Sequence, residues 1–92
     1  MLNSRIPAFD ATTSTGMRAW FKAMARRGLL FHPDDSPDQI VEIQTGRPVF
    51  SRDECLKLEG IMGTMFQRFG DQVHEAAYPV FMAELKLMTE RS

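Results

Sequence analysis

The sequence predicts a mainly α-helical fold: one small helical domain that ends in a long antiparallel pair of helices. Three observations support this class. Apolar side chains recur at helical spacing in residues 16–27, 51–69 and 71–88. Serine, threonine or aspartate stands at the start of each segment, as helix N-caps do, and glycine follows the first two. The alternative class is α+β, in which residues 39–50 form a short two-stranded hairpin.

The chain has 92 residues, of which 43% are hydrophobic and 25% are charged. This composition is typical of a folded globular protein, and the length allows one small domain. Residues 1–15 are predicted to form a flexible or docked N-terminal arm, because their proline, serine and threonine content opposes regular structure. Residues 16–92 are predicted to form the domain. A domain of this size buries a limited share of its surface, so self-association would add to its stability.

The first predicted helix covers residues 16–27. Its candidate N-caps are Ser14 and Thr15, basic residues occupy its last turn, and Gly28 is typical of the position after a helix. We expect its apolar face to line the core. The residues of that face are Met17, Trp20, Phe21 and Met24.

The next segment allows two interpretations. Ser36 and Gln39 have the spacing of a capping box, with Pro37 at the first helical position, which favours a short helix over residues 37–43. The β-branched residues of the same segment also suit a strand that pairs with residues 48–50 across a Thr-Gly turn. We favour the helix, because the capping box accounts for three positions together.

The C-terminal helix pair begins with a second capping box, formed by Ser51 and Glu54. The helix that follows is predicted to continue to Phe69. Two glycines inside it, Gly60 and Gly63, each cost about 0.5–1 kcal/mol relative to alanine. They therefore indicate that another helix approaches closely at these positions.

The last predicted helix begins after Asp71, which is a candidate N-cap. Pro79 interrupts it, because proline has no amide proton to donate to the carbonyl of Glu75. We expect a kink at this point or a division into two helices. The positions predicted to face inward are Val73, Ala76, Ala77, Val80, Phe81, Leu85 and Met88.

Soft apolar residues are abundant for so small a domain, with seven methionines, seven phenylalanines and one tryptophan. Methionine fills irregular cores and also occurs on adaptable binding surfaces. Three or four short helices cannot easily bury all these side chains, which indicates an apolar patch open to a partner. The sequence therefore predicts a non-enzymatic interaction module that binds a second copy or another protein. The residues predicted for this surface are Met62, Met65, Phe69 and Phe81.

The alternative function is accessory nucleic-acid binding by the first helix. Arg18, Lys22 and Arg26 recur every four residues and Arg27 extends them, so a basic stripe of four cations is available to phosphates. The whole chain, however, carries a formal net charge of −1. Because dedicated nucleic-acid-binding domains are usually basic, we rank this function below protein interaction.

No group of residues predicts an enzyme, a cofactor site or a metal centre. Cys55 is in register with the apolar face of its helix, so we expect a buried thiol rather than a nucleophile. His74 is expected to be a partly exposed helix residue. The densest set of potential metal ligands is expected to form a turn and the start of a helix. Two observations argue against a metal site: prolines separate the ligands, and the pattern of a calcium-binding loop is missing. That set is His32, Asp34, Asp35 and Asp38.

The sequence also predicts a cytoplasmic protein without membrane contact. Residues 1–11 carry polar and charged residues and lack the apolar stretch of a secretory signal. The longest nearly apolar stretch, residues 76–83, is far shorter than the roughly 18–20 residues that span a bilayer. The single cysteine excludes an intramolecular disulfide.

Overall fold

The structure is a computed structural model that describes residues 6–91. The first five residues of the predicted arm, and the last residue of the chain, lie outside the described range. Three α-helices dominate the fold, and they are connected by two short strands, one 3-10 helix and one π-helical turn. In chain order the elements are α1 (Ser14–Arg26), β1 (Leu29–Leu30), a 3-10 helix (Pro37–Gln39), β2 (Val41–Glu42), α2 (Arg52–Phe69), a π-helical turn (Val73–Ala77) and α3 (Tyr78–Arg91).

The predicted mainly α class is confirmed, with a minor antiparallel β component. The main helix–helix interface lies between α1 and α3. Helix α2 packs instead against the 3-10 helix and the π-helical turn. The long antiparallel pair predicted for the last two helices is therefore corrected: among the described residues α3 packs mainly against α1 rather than against α2.

Helix α1 begins two residues earlier than predicted, with Thr13 as its N-cap. The Thr13 hydroxyl accepts a hydrogen bond from the backbone N of Gly16 at 3.0 Å. A turn precedes it, in which the carboxylate of Asp10 accepts from the backbone N of Thr12 at 2.9 Å. This turn leaves Thr13 extended, the geometry that an N-cap needs. The predicted stop is confirmed, because Gly28 has a φ of +71°.

The predicted helix over residues 37–43 is wrong beyond Gln39. The capping box is present, and the backbone N of Ser36 donates to Oε1 of Gln39 at 2.8 Å. The helix nevertheless ends after one 3-10 turn, because Ile40 adopts an extended conformation and is buried in the core. The chain then continues as β2.

Strand β2 pairs with a different segment from the one expected for the alternative hairpin. It lies antiparallel to β1, with Val41 opposite Leu30. Residues 48–50 contribute a single bridge, between Val41 and Pro48. The β-branched pattern therefore indicated a strand correctly and its expected partner in part, through the bridge to Pro48, but it did not identify the main partner, β1.

The second predicted capping box is confirmed at the start of α2. The backbone N of Ser51 donates to Oε1 of Glu54 at 2.8 Å, and the backbone N of Glu54 donates to Oγ of Ser51 at 3.2 Å. The close helix contact predicted at Gly60 and Gly63 is wrong. A Cβ atom built at either glycine meets nothing within 4 Å among the described residues.

The predicted interruption at Pro79 is confirmed. The chain forms the π-helical turn immediately before α3, and the backbone N of Tyr78 donates to the carbonyl of Val73. Proline cannot supply the next amide proton of a regular α-helix, so the wider turn satisfies this part of the backbone differently. His74 lies inside this π-helical turn.

Aromatic rings form the centre of the core between α1 and α3. The ring centroids of Phe31 and Phe81 lie 4.9 Å apart, those of Trp20 and Phe21 lie 5.3 Å apart, and the rings of Phe21 and Phe31 are stacked at 5.8 Å. Trp20, Phe21 and Phe81 have no exposed surface. The arm closes one side of this core, since Pro7 is buried and Ile6 packs against the cluster.

Candidate functional site

Two of the four residues predicted for an interaction surface belong to the core. Met65 and Phe81 are both 0% exposed, so neither can contact a partner of the folded chain. Met62 and Phe69 are half-buried and pack against the core. The predicted surface is therefore corrected: these positions form the inner face of α2 and α3, which is what their helical periodicity indicates.

The apolar side chains that do remain exposed lie at other positions. Among the described residues they include Phe9, Leu30, Ile43, Leu56, Met82 and Leu87. On α3, Phe81 and Leu85 point inward, so the neighbouring Met82 is left 44% exposed to solvent. The composition indicated an apolar surplus, but only the packing direction of each helix shows which side chains supply it.

Two adjoining grooves flank the exposed side of α3. One has a volume of about 540 Å³ and lies between the end of α1, the segment after β2 and α3. The other, of about 430 Å³, has a mainly apolar lining that includes Met82 and Lys86. Leu85 and Thr89 line both grooves, which makes the surface continuous. We call this area the α3 surface, and it consists of Ile43, Met82, Leu85, Met88 and Thr89.

Charged groups of both signs surround the α3 surface. Arg26 Nε donates to Glu84 Oε2 at 2.9 Å, in an ion pair that joins α1 to α3. Arg27 and Glu42 line the larger groove, and Lys86 lines the smaller one. The rim is therefore polar and mixed in sign around an apolar centre, as in many protein interfaces.

The basic stripe predicted for nucleic acid is only partly available. Arg26 is held by Glu84, and Arg27 donates to the backbone carbonyl of Ala23 at 3.2 Å. Arg18 and Lys22 are exposed on α1. Nucleic-acid binding by this stripe remains a prediction: all four cations are exposed, but Arg26 and Arg27 would have to exchange their internal contacts for phosphate.

The turn predicted at residues 32–35 is present. The backbone N of Asp35 donates to the carbonyl of His32 at 2.9 Å, and the backbone N of His32 donates to Oδ2 of Asp35 at 3.0 Å. Asp38 lies in the 3-10 helix, as its predicted role requires. The side chain of Asp34 makes a different contact, with Oδ1 at 2.8 Å from His74 Nε2.

The sequence did not predict the contact between Asp34 and His74. His32 joins them, with its Nδ1 atom 3.6 Å from Oδ2 of Asp34. One potential ligand atom from each of the three residues lies within 4.8 Å of the other two. The sequence shows His32 and Asp34 as neighbours, but no local signal brings a histidine forty positions away to the same place.

Cys55 is half-buried on α2 rather than fully enclosed. Burial raises the pKa of the Cys55 thiol above its ordinary value, and the carboxylates of Asp38, Glu59 and Glu54 raise it further. Both effects disfavour the negatively charged thiolate, which is the reactive form of cysteine. The environment therefore does not activate Cys55 as a nucleophile.

Alkylation of Cys55 by iodoacetamide is expected to be slower at neutral pH than that of a free cysteine, because little thiolate is present. The midpoint of its rate against pH should lie above that of free cysteine, because burial and the nearby carboxylates raise the pKa of the thiol. Glu59→Gln should move this midpoint down, and Glu90→Gln, near the end of α3, should leave it unchanged. A midpoint below that of free cysteine would show that the thiol is activated.

Comparison with protein-family models, curated proteins and solved structures finds no match for the chain. Within the described residues, no helix has both the length and the apolar character that crossing a membrane requires. The candidate sites therefore depend on the geometry of this chain alone: the α3 surface, the exposed cations of α1 and the cluster of His32, Asp34 and His74.

Proposed function

We propose that this chain is a non-enzymatic cytoplasmic interaction module that pairs with a second copy of itself through the α3 surface. The observation that carries the proposal is the pair of adjoining grooves that share Leu85 and Thr89, the smaller of which is lined by the exposed Met82. A helix flanked by grooves matches the way two helices pack, with the ridge of each in the groove of the other.

The charges at the rim favour a second copy as the occupant. Lys86 and Arg27 are positive and Glu42 is negative, and all three line the grooves. In a two-fold dimer the same patch meets itself, so a patch that carries both signs can place Glu42 of each copy opposite a cation of the other. A partner surface that carries charges of a single sign would repel part of this rim.

The size of the chain is also consistent with pairing. An interface of standard size covers about 800 Å² on each partner. The domain exposes 5799 Å², so such an interface would cover about one-seventh of its surface. Burial of Met82 and Ile43 there would add apolar contacts to a domain whose own core is small. The free thiol of Cys55 is consistent with a reducing cytoplasm.

The test is the change Met82→Glu, measured by light scattering coupled to size exclusion between about 10 µM and about 500 µM. The parent is expected to form a dimer whose stability does not depend on salt, because apolar contacts supply most of it. A carboxylate in the mainly apolar smaller groove of the α3 surface should weaken dimerisation at least about ten-fold. The matched control is Leu56→Glu, which places the same charge at a 60% exposed leucine on α2 and should not change the dimer.

A parent that stays monomeric throughout this range, or a dimer that Met82→Glu leaves intact, would contradict the proposal. A monomer that co-elutes with nucleic acid at low salt and loses it at high salt would support the alternative function instead. In that case the double change Arg18→Ala and Lys22→Ala should weaken binding and reduce its dependence on salt.

A further inference from the structure

We propose that His32, Asp34 and His74 bind a divalent transition-metal ion of the Zn²⁺ class. The three side chains come from two distant parts of the chain: the loop after β1 and the π-helical turn before α3. They supply two imidazoles and one carboxylate, and their candidate ligand atoms lie within 4.8 Å of one another. This proposal does not depend on self-association, since all three residues belong to one copy.

The distances are close to those of a loaded site. A zinc ion with ligands at roughly 2.0–2.2 Å places neighbouring ligand atoms about 3.0–3.6 Å apart. Oδ1 of Asp34 lies 2.8 Å from His74 Nε2, and its other oxygen, Oδ2, lies 3.6 Å from His32 Nδ1. One carboxylate oxygen and the two imidazole nitrogens, which lie within 4.8 Å of one another, would converge on the ion by side-chain rotation.

The histidine rings are positioned by aromatic neighbours. The centroid of the His32 ring lies 5.0 Å from that of Tyr78, and the centroid of the His74 ring lies 5.4 Å from that of Phe66. The two imidazole centroids are 5.9 Å apart. Aromatic packing limits the rotamers of both rings, so less conformational entropy is lost when an ion binds.

The backbone on both sides also fixes the cluster. The turn between His32 and Asp35 holds the first two ligands, and the backbone N of Asp34 donates to His32 Nδ1 at 3.1 Å. Binding exchanges this hydrogen bond for a bond to the metal. His74 lies in the π-helical turn, an irregularity that is frequent at functional sites.

The donor set selects the class of ion. Imidazole nitrogen suits Zn²⁺, Co²⁺ and Ni²⁺, whereas Mg²⁺ and Ca²⁺ prefer sites made of oxygen atoms. The side chains of His32, Asp34 and His74 are 45%, 63% and 36% exposed, so an ion can enter from solvent. Three protein ligands leave at least one position for water. The bound ion would tie the loop after β1 to the start of α3.

The experiment is calorimetric titration of chelator-treated protein with ZnCl₂, together with thermal melting. We expect one ion per chain and a rise in Tm of about 5–10 °C at roughly ten times Kd. MgCl₂ should produce no comparable shift. His74→Gln and His32→Gln should each weaken Zn²⁺ binding by at least about ten-fold.

Asp34→Asn provides a variant at the most exposed ligand, where folding is least affected, and it should also weaken Zn²⁺ binding. There are two matched controls. Asp38→Asn removes a carboxylate of the same segment that lies outside the cluster, and Cys55→Ser removes the only thiol of the chain. Both should bind Zn²⁺ like the parent. Absence of binding, or binding that His74→Gln and Asp34→Asn leave unchanged, would overturn the proposal and leave a histidine–aspartate hydrogen bond only.

Discussion

Phe81→Ala is expected to destabilise the domain by about 3–5 kcal/mol, the usual cost of removing a buried aromatic ring. Phe81 has no exposed surface, and its ring contacts those of Phe31 at 4.9 Å and Tyr78 at 5.9 Å between centroids. The contact with Phe31 joins α3 to the segment after β1. Alanine would leave a cavity where the two halves of the fold meet, and Tm should fall by more than about 10 °C.

The matched control is Phe9→Ala, which removes the same ring from a position that is 49% exposed. It should cost less than about 1 kcal/mol, as surface changes usually do. Phe81→Leu, which keeps part of the volume, should cost about 1–2 kcal/mol and remains measurable if the alanine variant does not fold. Urea unfolding followed by tryptophan fluorescence gives all three values, since Trp20 is in the same core.

The result for Phe81 also separates two interpretations of the same residue. The sequence predicts Phe81 both as an inward position of its helix and as part of an interaction surface. A variant that keeps the parent's stability but loses self-association would restore the second interpretation. Loss of stability in the monomer itself supports the structure, in which the ring is inside the domain.

Helix starts could be predicted from the sequence because capping is local. Ser51 and Glu54 are three positions apart, and their side chains satisfy each other's backbone donors without help from the rest of the fold. The same reasoning found the box at Ser36 but not the end of that helix. Where the helix ends depends on the burial of Ile40, which is a property of the tertiary structure.

Partners across the fold could not be predicted in the same way. The pairing of Leu30 with Val41, and the approach of His74 to Asp34, join residues that are far apart in the chain. Such contacts depend on how separate elements pack together, and periodicity within one element contains no information about its neighbour. The α3 surface and the cluster of His32, Asp34 and His74 both depend on contacts between separate elements, which is why the sequence alone did not predict them.

The glycines also show that tertiary contacts could not be predicted from the sequence. Gly60 and Gly63 were predicted to allow a close helix contact, yet both lie beside open space. Gly16, at the start of α1, is the glycine that the packing requires. A Cβ atom there would overlap the backbone carbonyl oxygen of Asp10 and would lie 2.8 Å from Oγ1 of Thr13.

Gly16→Ala is therefore expected to destabilise the domain by about 1–3 kcal/mol. The added methyl group must push the turn at residues 10–13 away from α1, and the cap bond between Gly16 N and Thr13 Oγ1 would be strained with it. Thermal melting of the variant against the parent measures the loss. Proteolysis of the N-terminal arm should accelerate in parallel, because the same turn holds the arm against the helix.

Gly60→Ala is the matched control, since it makes the same substitution in a helix where, beyond the helix's own backbone, no described residue lies within 4 Å of the new atom. It should stabilise the domain by about 0.5–1 kcal/mol, because alanine loses less backbone entropy than glycine in a helix. The same change thus has opposite signs at the two positions. If Gly16→Ala were also stabilising, the contact between the arm and α1 would be absent in solution, and Thr13 would act as a cap without the preceding turn.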